Sequence, residues 1–343
     1  MSLRYSVVIA TRNRLSALRL SVPRMLSQSR PPTQLIVVDS SDEHGPVATA
    51  LQELCQQSPV KLIVRHSERG ASIQRNIGLD FVETPVVFFP DDDSIFFPGT
   101  AQEIIETYER DTTGSIAAVC AAESATPPED FLVVKTNYKM SKLDRLRARV
   151  QRYRSRLEQC FFPDPGAILG RSLFHTFPLD PQQVQSNVTP VAWMTGFRMT
   201  FRTDVIQRFK FDINLTRYSL FEDRAASYKA WQMGAVVGAR NAKIYHYRSP
   251  EKRDNGRRMG AQQLLNLAYV IASNSPVGHP ARRALRRFGT YKTLLYSTST
   301  KDSFGKDRYN GAKDALKEIP LFITAAPENA AQIYRTAMER CAS

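Results

Sequence analysis

The sequence lacks several features that would assign it to a common class at once. It has four cysteines, with no CxxC pair and no dense framework, so we predict free thiols in a reducing compartment. The apolar stretch at residues 5–10 is too short for a secretory signal, and no apolar run approaches the roughly 20 residues that span a bilayer. Neither GxGxxG nor GxxxxGK[ST] occurs, so a dinucleotide fingerprint and a P-loop are both missing.

Acidic residues are also in deficit. The chain has 47 Lys and Arg residues against 33 Asp and Glu residues, which gives a net charge of +14. Such an excess predicts anionic partners, namely nucleotide phosphates, nucleic acid or an anionic membrane surface. The hydrophobic content of 42% is ordinary for a globular protein of 343 residues, which is long enough to bury a large core.

The first hundred residues alternate between short apolar runs and amphipathic segments. Predicted strands cover residues 5–10, 34–39, 60–65 and 86–89, and predicted helices cover residues 15–28, 47–57 and 70–81. This β-α-β-α-β-α-β order predicts a parallel, doubly wound sheet with right-handed crossovers. Residues 40–42 are predicted to cap the second helix.

Polar residues follow three of these strands, at 11–13, 39–41 and 91–93. The carboxyl ends of parallel strands gather at one edge of a sheet, so we expect these residues to form one pocket. Asp91, Asp92 and Asp93 repel each other and need a positive neighbour, for which a divalent metal holding a diphosphate is the natural candidate. An acidic loop that caps the next helix is the alternative.

Seven segments, which together span about residues 4–250, read VVIATRNR, VVDSSD, ERGASIQRNIGLDF, FFPDDDS, WMTGFRMTF, FEDRAASYKAW and YHY. In this order they resemble family 2 glycosyltransferases of the GT-A fold. The resemblance implies an α/β GT-A fold, in which helices flank a Rossmann-like, mostly parallel sheet and a helical extension follows at the C-terminus.

It also implies a division of the chain. Residues 1–250 would form the GT-A domain, with 1–100 as the nucleotide-binding half and 190–250 as the acceptor and catalytic half. Residues 139–160 would be a basic helical insertion, which either rests on an anionic membrane or is a solvated face with a packed stripe. Residues 251–343 would be the helical extension, with predicted helices at 260–273, 279–296, 309–316 and 328–340.

On the donor side, the resemblance makes Asp39 the carboxylate that accepts a hydrogen bond from the base, usually uracil, although it could instead cap a helix. Arg75 would contact the donor near the aspartate triplet, against the alternative of a solvated helix arginine. Asn76 would pack against its neighbours or tether a loop. Gly196 would allow close backbone approach beneath the donor sugar, and Trp193 either stacks on a sugar or lies in the core. The donor-binding set is Thr11, Arg12, Arg14, Asp39, Arg75, Asp91, Asp92 and Gly196.

For the metal, Asp91 and Asp93 match the family's DxD motif. Asp93 would bind the ion directly, and Asp91 or Asp92 would hold ribose or metal-bound water, with the register uncertain by one residue. His246 would complete the coordination of Mn2+ or Mg2+, and an imidazole ligand favours Mn2+. The alternative is a histidine packed among aromatic residues.

Glu222 and Asp223 resemble the ED motif, whose Asp is the general base. A single base with no protein nucleophile predicts inversion. The alternative is an acidic pair that favours the dipole of the helix it begins.

The resulting hypothesis is a metal-dependent inverting glycosyltransferase of hexosyltransferase type. Its donor would be a nucleotide-diphosphate sugar, most readily UDP-linked, and its acceptor a glycan, a surface polysaccharide or a lipid-linked chain. A nucleotidyltransferase or a non-enzymatic nucleic-acid binder are the alternatives, but the first lacks its basic glycine-rich loop and the second lacks a known motif. We expect a cytoplasmic location, with peripheral contact at the inner membrane face left open.

Overall fold

The computed structural model describes residues 2–131, 161–177, 179, 188–215, 219–248 and 255–342. The chain forms two compact units, one of Met1–Pro128 with Gly170–Arg253 and the other of Glu129–Leu169 with Asp254–Ser343. The basic insertion predicted at 139–160 lies outside the described residues.

One nine-stranded sheet, as far as the chain is described, is the centre of the first unit. Its strands are β1 (Tyr5–Thr11), β2 (Gln34–Asp39), β3 (Lys61–His66), β4 (Val86–Phe89), β5 (Ser94–Phe96), β6 (Ile116–Ser124), β7 (Val188–Pro190), β8 (Met199–Arg202) and β9 (Ala235–His246). The order across the sheet is β3-β2-β1-β4-β8-β6-β9-β5, and β7 pairs with β9 beside this path. The predicted α/β class is confirmed.

The first four strands pair in parallel, as the alternation predicts. Strands β1, β2 and β4 are almost wholly buried, whereas β3, at the sheet edge, is half-exposed. Continuous apolar runs are what central parallel strands require, because both of their faces are covered. The register places Thr11 beside Asp39, so the polar residues that end β1 and β2 lie at one level of the sheet edge.

Beyond β4 the sheet mixes directions. Strand β8 is antiparallel to both β4 and β6, β6 is parallel to β9, and β5 is antiparallel to β9. This half contains elements that the sequence did not predict, including β5 and β6. The pairing of β5 with β9 sets Ser94 beside His246, which brings a late segment of the chain to the aspartate triplet.

Helices flank the sheet and make up the described C-terminal part of the second unit. They are α1 (Leu15–Leu26), α2 (Gly45–Cys55), α3 (Ala71–Leu79), α4 (Thr100–Arg110), α5 (Pro165–Ser172), α6 (Thr203–Phe209), α7 (Glu222–Trp231), α8 (Gly256–Ser273), α9 (Pro280–Ser297), α10 (Ser303–Thr324) and α11 (Ala330–Ala342). Helix α3 packs closely on β1 because Gly78 has no Cβ, which would collide with the side chain of Val8.

The predicted cap of the second helix is wrong. Helix α2 begins after His44, and no side chain caps it. Ser41 turns back instead, because its hydroxyl donates to Asp39 and accepts the Asn13 amide at 2.7 Å. The polar groups of this loop therefore form hydrogen bonds with one another at the sheet edge and do not cap helix α2.

The described C-terminal part of the second unit is helical, as predicted, and α10 is much longer than the predicted 309–316 because it continues through Pro320. Helix α10 contacts α8 closely at Gly311, where a Cβ would strike the Arg257 carbonyl. Within the described residues, no helix is both long and apolar enough to cross a membrane. Cys55, Cys120 and Cys341 are buried free thiols, whereas Cys160 lies outside the described residues.

Candidate active site

The aspartate triplet follows β4 and lies against the end of β1. Asp92 points inward and is only 3% exposed. Its two carboxylate oxygens accept hydrogen bonds from the Thr11 hydroxyl at 2.8 Å and from Arg14 Nη1 at 2.7 Å. Burial, opposed by the charge of Arg14, raises the pKa of Asp92 to about 7. Asp92 therefore joins the triplet to the first loop.

Asp91 and Asp93 lie with His246 in a second group. One ligand atom from each of these three residues lies within 4.8 Å of the other two. His246 Nε2 is 3.2 Å from Asp93 Oδ1, and the imidazole stacks on the Phe197 ring with centroids 4.4 Å apart. The Phe197 contact means that the packing alternative predicted for His246 is also present.

This second group fits a divalent metal ion. Two carboxylates and one imidazole are ligands that Mn2+ and Mg2+ accept, and the imidazole favours Mn2+. Asp91 and Asp93 have the DxD spacing, and Asp92 between them bonds Thr11 and Arg14. Burial lowers the pKa of His246, but the adjacent Asp93 carboxylate outweighs it, so the net pKa is raised.

Arg75, on α3, connects the triplet to the Glu222–Asp223 pair. Its side chain is 3% exposed, with Nη1 donating to Glu222 Oε1 at 2.5 Å and Nη2 donating to Asp91 Oδ1 at 2.9 Å. Burial would lower the pKa of Arg75, yet the two carboxylates raise it. The solvated-arginine alternative does not describe this residue.

Glu222 and Asp223 begin α7, directly after Phe221, which has the uncommon φ of +72°. Asp223 accepts backbone amides from Arg224 at 2.7 Å and Gly196 at 3.1 Å. Burial raises the pKa of Asp223, and it raises that of Glu222 to about 7 against the opposing charge of Arg75. Two adjacent carboxylates whose pKa values are raised by burial are typical of acid–base sites.

Asp39 and Arg12 lie to one side of these groups, at the ends of β1 and β2. Asp39 is fully buried, and it accepts the Ser41 amide at 2.9 Å and pairs with His44 Nδ1 at 2.8 Å. Arg12 donates to Asp42 at 2.8 Å. A nucleotide base that contacts Asp39 would therefore have to share this carboxylate with Ser41 and His44, or displace them.

One supporting residue, Gln74, was not assigned from the sequence. Gln74 donates to the carbonyl oxygens of Thr11 and Val38 at 2.8 and 2.7 Å, which fixes the first loop to the sheet. No periodicity or motif signals such a contact. The predicted tether at Asn76 is present, because its amide exchanges hydrogen bonds with the Phe211 backbone at 2.8 and 2.9 Å.

Trp193 is not a fully buried core residue. The guanidinium of Arg224 lies 4.0 Å from the centroid of its ring and 5.0 Å from that of Phe221. A cation in this position occupies a ring face, so the predicted stacking of a sugar on Trp193 would compete with Arg224 or use the other face.

Comparisons with known proteins agree with this architecture. Residues 6–174 match the family model described as Glycosyl transferase family 2. No curated protein matches the sequence. The solved mannosyltransferase PcManGT from Pyrobaculum calidifontis, in complex with GDP-Man and Mn2+, is 14% identical with a TM-score of 0.51, over 99% of this chain and 88% of that one. TarS of S. aureus is 15% identical with a TM-score of 0.52, over 98% of this chain and 55% of that one. At these identities, the likeness to the solved structures concerns the fold alone.

Proposed function

Because residues 6–174 match its family model, this chain is a glycosyl transferase family 2 enzyme, and we propose that it transfers a sugar from a nucleoside-diphosphate donor with inversion at the anomeric carbon. The predicted GT-A fold and family are confirmed. The observation that carries the proposal is the ion pair of Arg75, which links one candidate metal ligand, Asp91, to the carboxylate pair that begins α7.

The donor would bind along the carboxyl edge of the sheet. Thr11, Arg12 and Asp39 would face the base and ribose, and the diphosphate would lie near the triplet. Asp91, Asp93 and His246 would hold Mn2+ or Mg2+, which when bound neutralises charge on the departing diphosphate. Gly196 would lie beneath the sugar, and its place beside the carboxylate pair supports this role, because a Cβ built on it would lie 3.5 Å from Glu222 Oε1.

Asp223 would act as the general base. Its raised pKa makes the carboxylate a better proton acceptor than an ordinary aspartate. It would take the proton of the acceptor hydroxyl while that oxygen bonds to the anomeric carbon and the carbon–diphosphate bond breaks. Attack from the face opposite the leaving group gives inversion. Arg75 and Glu222 would keep Asp223 at a fixed distance from the metal ligand Asp91.

The choice of donor is a finer proposal. We propose UDP as the first nucleotide to test, because a buried carboxylate at the Asp39 position suits the N3–H of uracil. The N1–H of guanine would suit the same acceptor, and a mannosyltransferase of similar fold is solved with GDP-Man. A glycan, polysaccharide or lipid-linked acceptor stays a prediction.

Product analysis tests the proposal. The protein would be incubated with UDP-, GDP- and dTDP-sugars and Mn2+, and release of the nucleoside diphosphate and the anomeric configuration of the product would be measured. We expect one donor class to be used, with inversion, and EDTA to stop the reaction. Release of pyrophosphate from a nucleoside triphosphate would support the nucleotidyltransferase alternative, and retention would remove the single-base mechanism.

We also propose that helix α9 of the second unit contacts an anionic membrane. This helix contains five basic residues and no acidic one. Arg283, Arg286 and Arg287 lie on its exposed face, and no ion pair to any of them occurs in the described part of the chain. The face continues to Leu294, which is 64% exposed and would suit the headgroup boundary.

Vesicle co-sedimentation tests this contact. Phosphatidylglycerol vesicles should bind the protein and phosphatidylcholine vesicles should not. Replacing Arg283, Arg286 and Arg287 by glutamine should weaken binding by roughly 100-fold, at about fivefold for each arginine. Nucleotide binding, which belongs to the first unit, should be unchanged. Equal binding by the variant, or a preference for RNA over vesicles, would contradict the proposal.

A further inference from the structure

Arg14 occupies an unusual position for a cation in a site that would bind another cation. Its guanidinium spans two members of the triplet, with Nη1 2.7 Å from Asp92 Oδ1 and Nη2 2.8 Å from Asp93 Oδ2. The side chains of both carboxylates are at most 4% exposed, whereas that of Arg14 is 26% exposed. The guanidinium therefore closes the solvent side of a buried acidic pair.

Asp93 is shared between Arg14 and the candidate metal group. Its Oδ2 accepts from Arg14, and its Oδ1 faces His246 Nε2 at 3.2 Å. If Asp91, Asp93 and His246 held a metal ion, the positive charge of Arg14 would lie on the other oxygen of the Asp93 carboxylate. Two cations on one carboxylate repel each other, and in a buried site that repulsion is only partly screened.

A diphosphate changes this balance. Its negative charge is attracted both to the ion and to a guanidinium, whose planar geometry suits phosphate oxygens. We propose that Arg14 couples metal binding to donor binding: it weakens the metal site when the nucleotide is absent and strengthens the combined site when the diphosphate is present. This inference rests on the proposed function, because it concerns the same site.

The coupling follows mainly from the charge of the side chain, to which the planar guanidinium adds its fit to phosphate oxygens. Arg14→Gln keeps an amide that can donate to Asp92 but removes the charge, and Arg14→Lys keeps the charge but cannot span two carboxylates. Arg30→Gln is the matched control, because Arg30 also pairs with a carboxylate, Glu109, but beside Leu3, at the opposite end of β1. Circular dichroism and thermal unfolding would establish that each variant is folded.

The experiment measures Mn2+ affinity by the electron paramagnetic resonance signal of the free ion, first with Mn2+ alone and then with saturating UDP or GDP. In the parent protein the nucleotide should tighten Mn2+ binding. In Arg14→Gln we expect Mn2+ alone to bind about tenfold tighter and the nucleotide effect to shrink by a similar factor, within the usual range for coupled sites. Arg14→Lys should keep the direction of both effects because it keeps the charge, and Arg30→Gln should behave like the parent.

Three outcomes would overturn the inference, and they are distinguishable. If Mn2+ binds in an Asp93-dependent manner but Arg14→Gln matches the parent with and without nucleotide, the coupling role fails while the proposed function stands. If no variant binds Mn2+ under any condition, both the metal assignment and the coupling fail. Weaker binding of Mn2+ alone by Arg14→Gln would also contradict it, since that would make Arg14 a support of the metal site.

Discussion

Arg75 and Glu222 are 147 residues apart in the sequence and form a buried ion pair of 2.5 Å. The other end of the same guanidinium reaches Asp91. One side chain on α3 thereby fixes the distance between the aspartate triplet and the carboxylate pair of α7, which belong to distant parts of the chain.

Arg75→Ala should destabilise the protein and abolish its activity. The change leaves the buried carboxylate of Glu222 without its counter-charge, so we expect a loss of about 3–5 kcal/mol in the free energy of unfolding. Denaturant unfolding measures this directly. Arg75→Lys keeps the charge but cannot bond both carboxylates, so it should lose less stability and still turn over slowly. Unaltered stability in Arg75→Ala would mean that the ion pair is unimportant to the fold.

Asp223→Asn should separate binding from chemistry. The amide is nearly isosteric and keeps one of the two oxygens that accept the Gly196 and Arg224 amides, so we expect the variant to stay folded with one of these hydrogen bonds lost. It cannot accept the proton of the acceptor hydroxyl, so we expect transfer to fall by about 10²–10⁴-fold while donor affinity is retained. Steady-state transfer and calorimetric donor titration provide the two measurements, and turnover near the parent rate would refute the base assignment.

The pH dependence of transfer should reveal the coupled pair. Because the pKa values of both carboxylates are raised, with Glu222 at about 7, the base becomes protonated at a higher pH than an ordinary aspartate would. The rate should therefore rise with pH through an acidic limb whose apparent pKa values belong to the pair.

Glu222→Gln removes the negative charge beside Asp223, and it also removes one of the two carboxylates that pair with Arg75. Both changes favour the ionised form of Asp223. The acidic limb of kcat/KM should therefore move to lower pH in this variant. A limb that stays in place, or moves to higher pH, would show that the pair does not control proton transfer.

Gly78→Ala tests the packing of α3 on the sheet. An added Cβ would collide with Val8, which is fully buried in β1, so we expect a net loss of about 1–2 kcal/mol despite the better helix propensity of alanine. Gly45→Ala is the control, because a Cβ at Gly45 would meet nothing within 4 Å. Equal unfolding midpoints for the two variants would refute the close-packing account.

The sheet could be predicted only where the sequence pattern is unambiguous. Long apolar runs bounded by polar loops identified β1, β2 and β4 within about one residue. Strand β5 has only three residues, and β6 is rich in alanine, which is equally at home in a helix. Sequence periodicity cannot resolve such segments.

The sequence predicts which residues belong to the candidate site but not how their side chains contact one another. The strand ends and the family resemblance together select Asp91, Asp93, His246 and Arg75, and the roles of these residues stay predictions. The inward turn of Asp92 and the position of Arg14 between two carboxylates depend on tertiary contacts that no spacing encodes. The pairing of Asp39 with His44 is likewise set by the local path of a loop.

The central claim is a donor site that depends on a metal ion held by Asp93, and thermal unfolding tests it most directly. UDP, GDP, dTDP and CMP would each be added with Mn2+, Mg2+ or EDTA to the parent protein and to Asp93→Ala. A ligand that binds the folded state at 100 times its Kd stabilises it by about 2.7 kcal/mol, which is a shift of a few degrees. We predict a shift with one nucleotide and Mn2+ together, lost with EDTA and in Asp93→Ala. An equal shift in Asp93→Ala, or none with any nucleotide, would contradict the account.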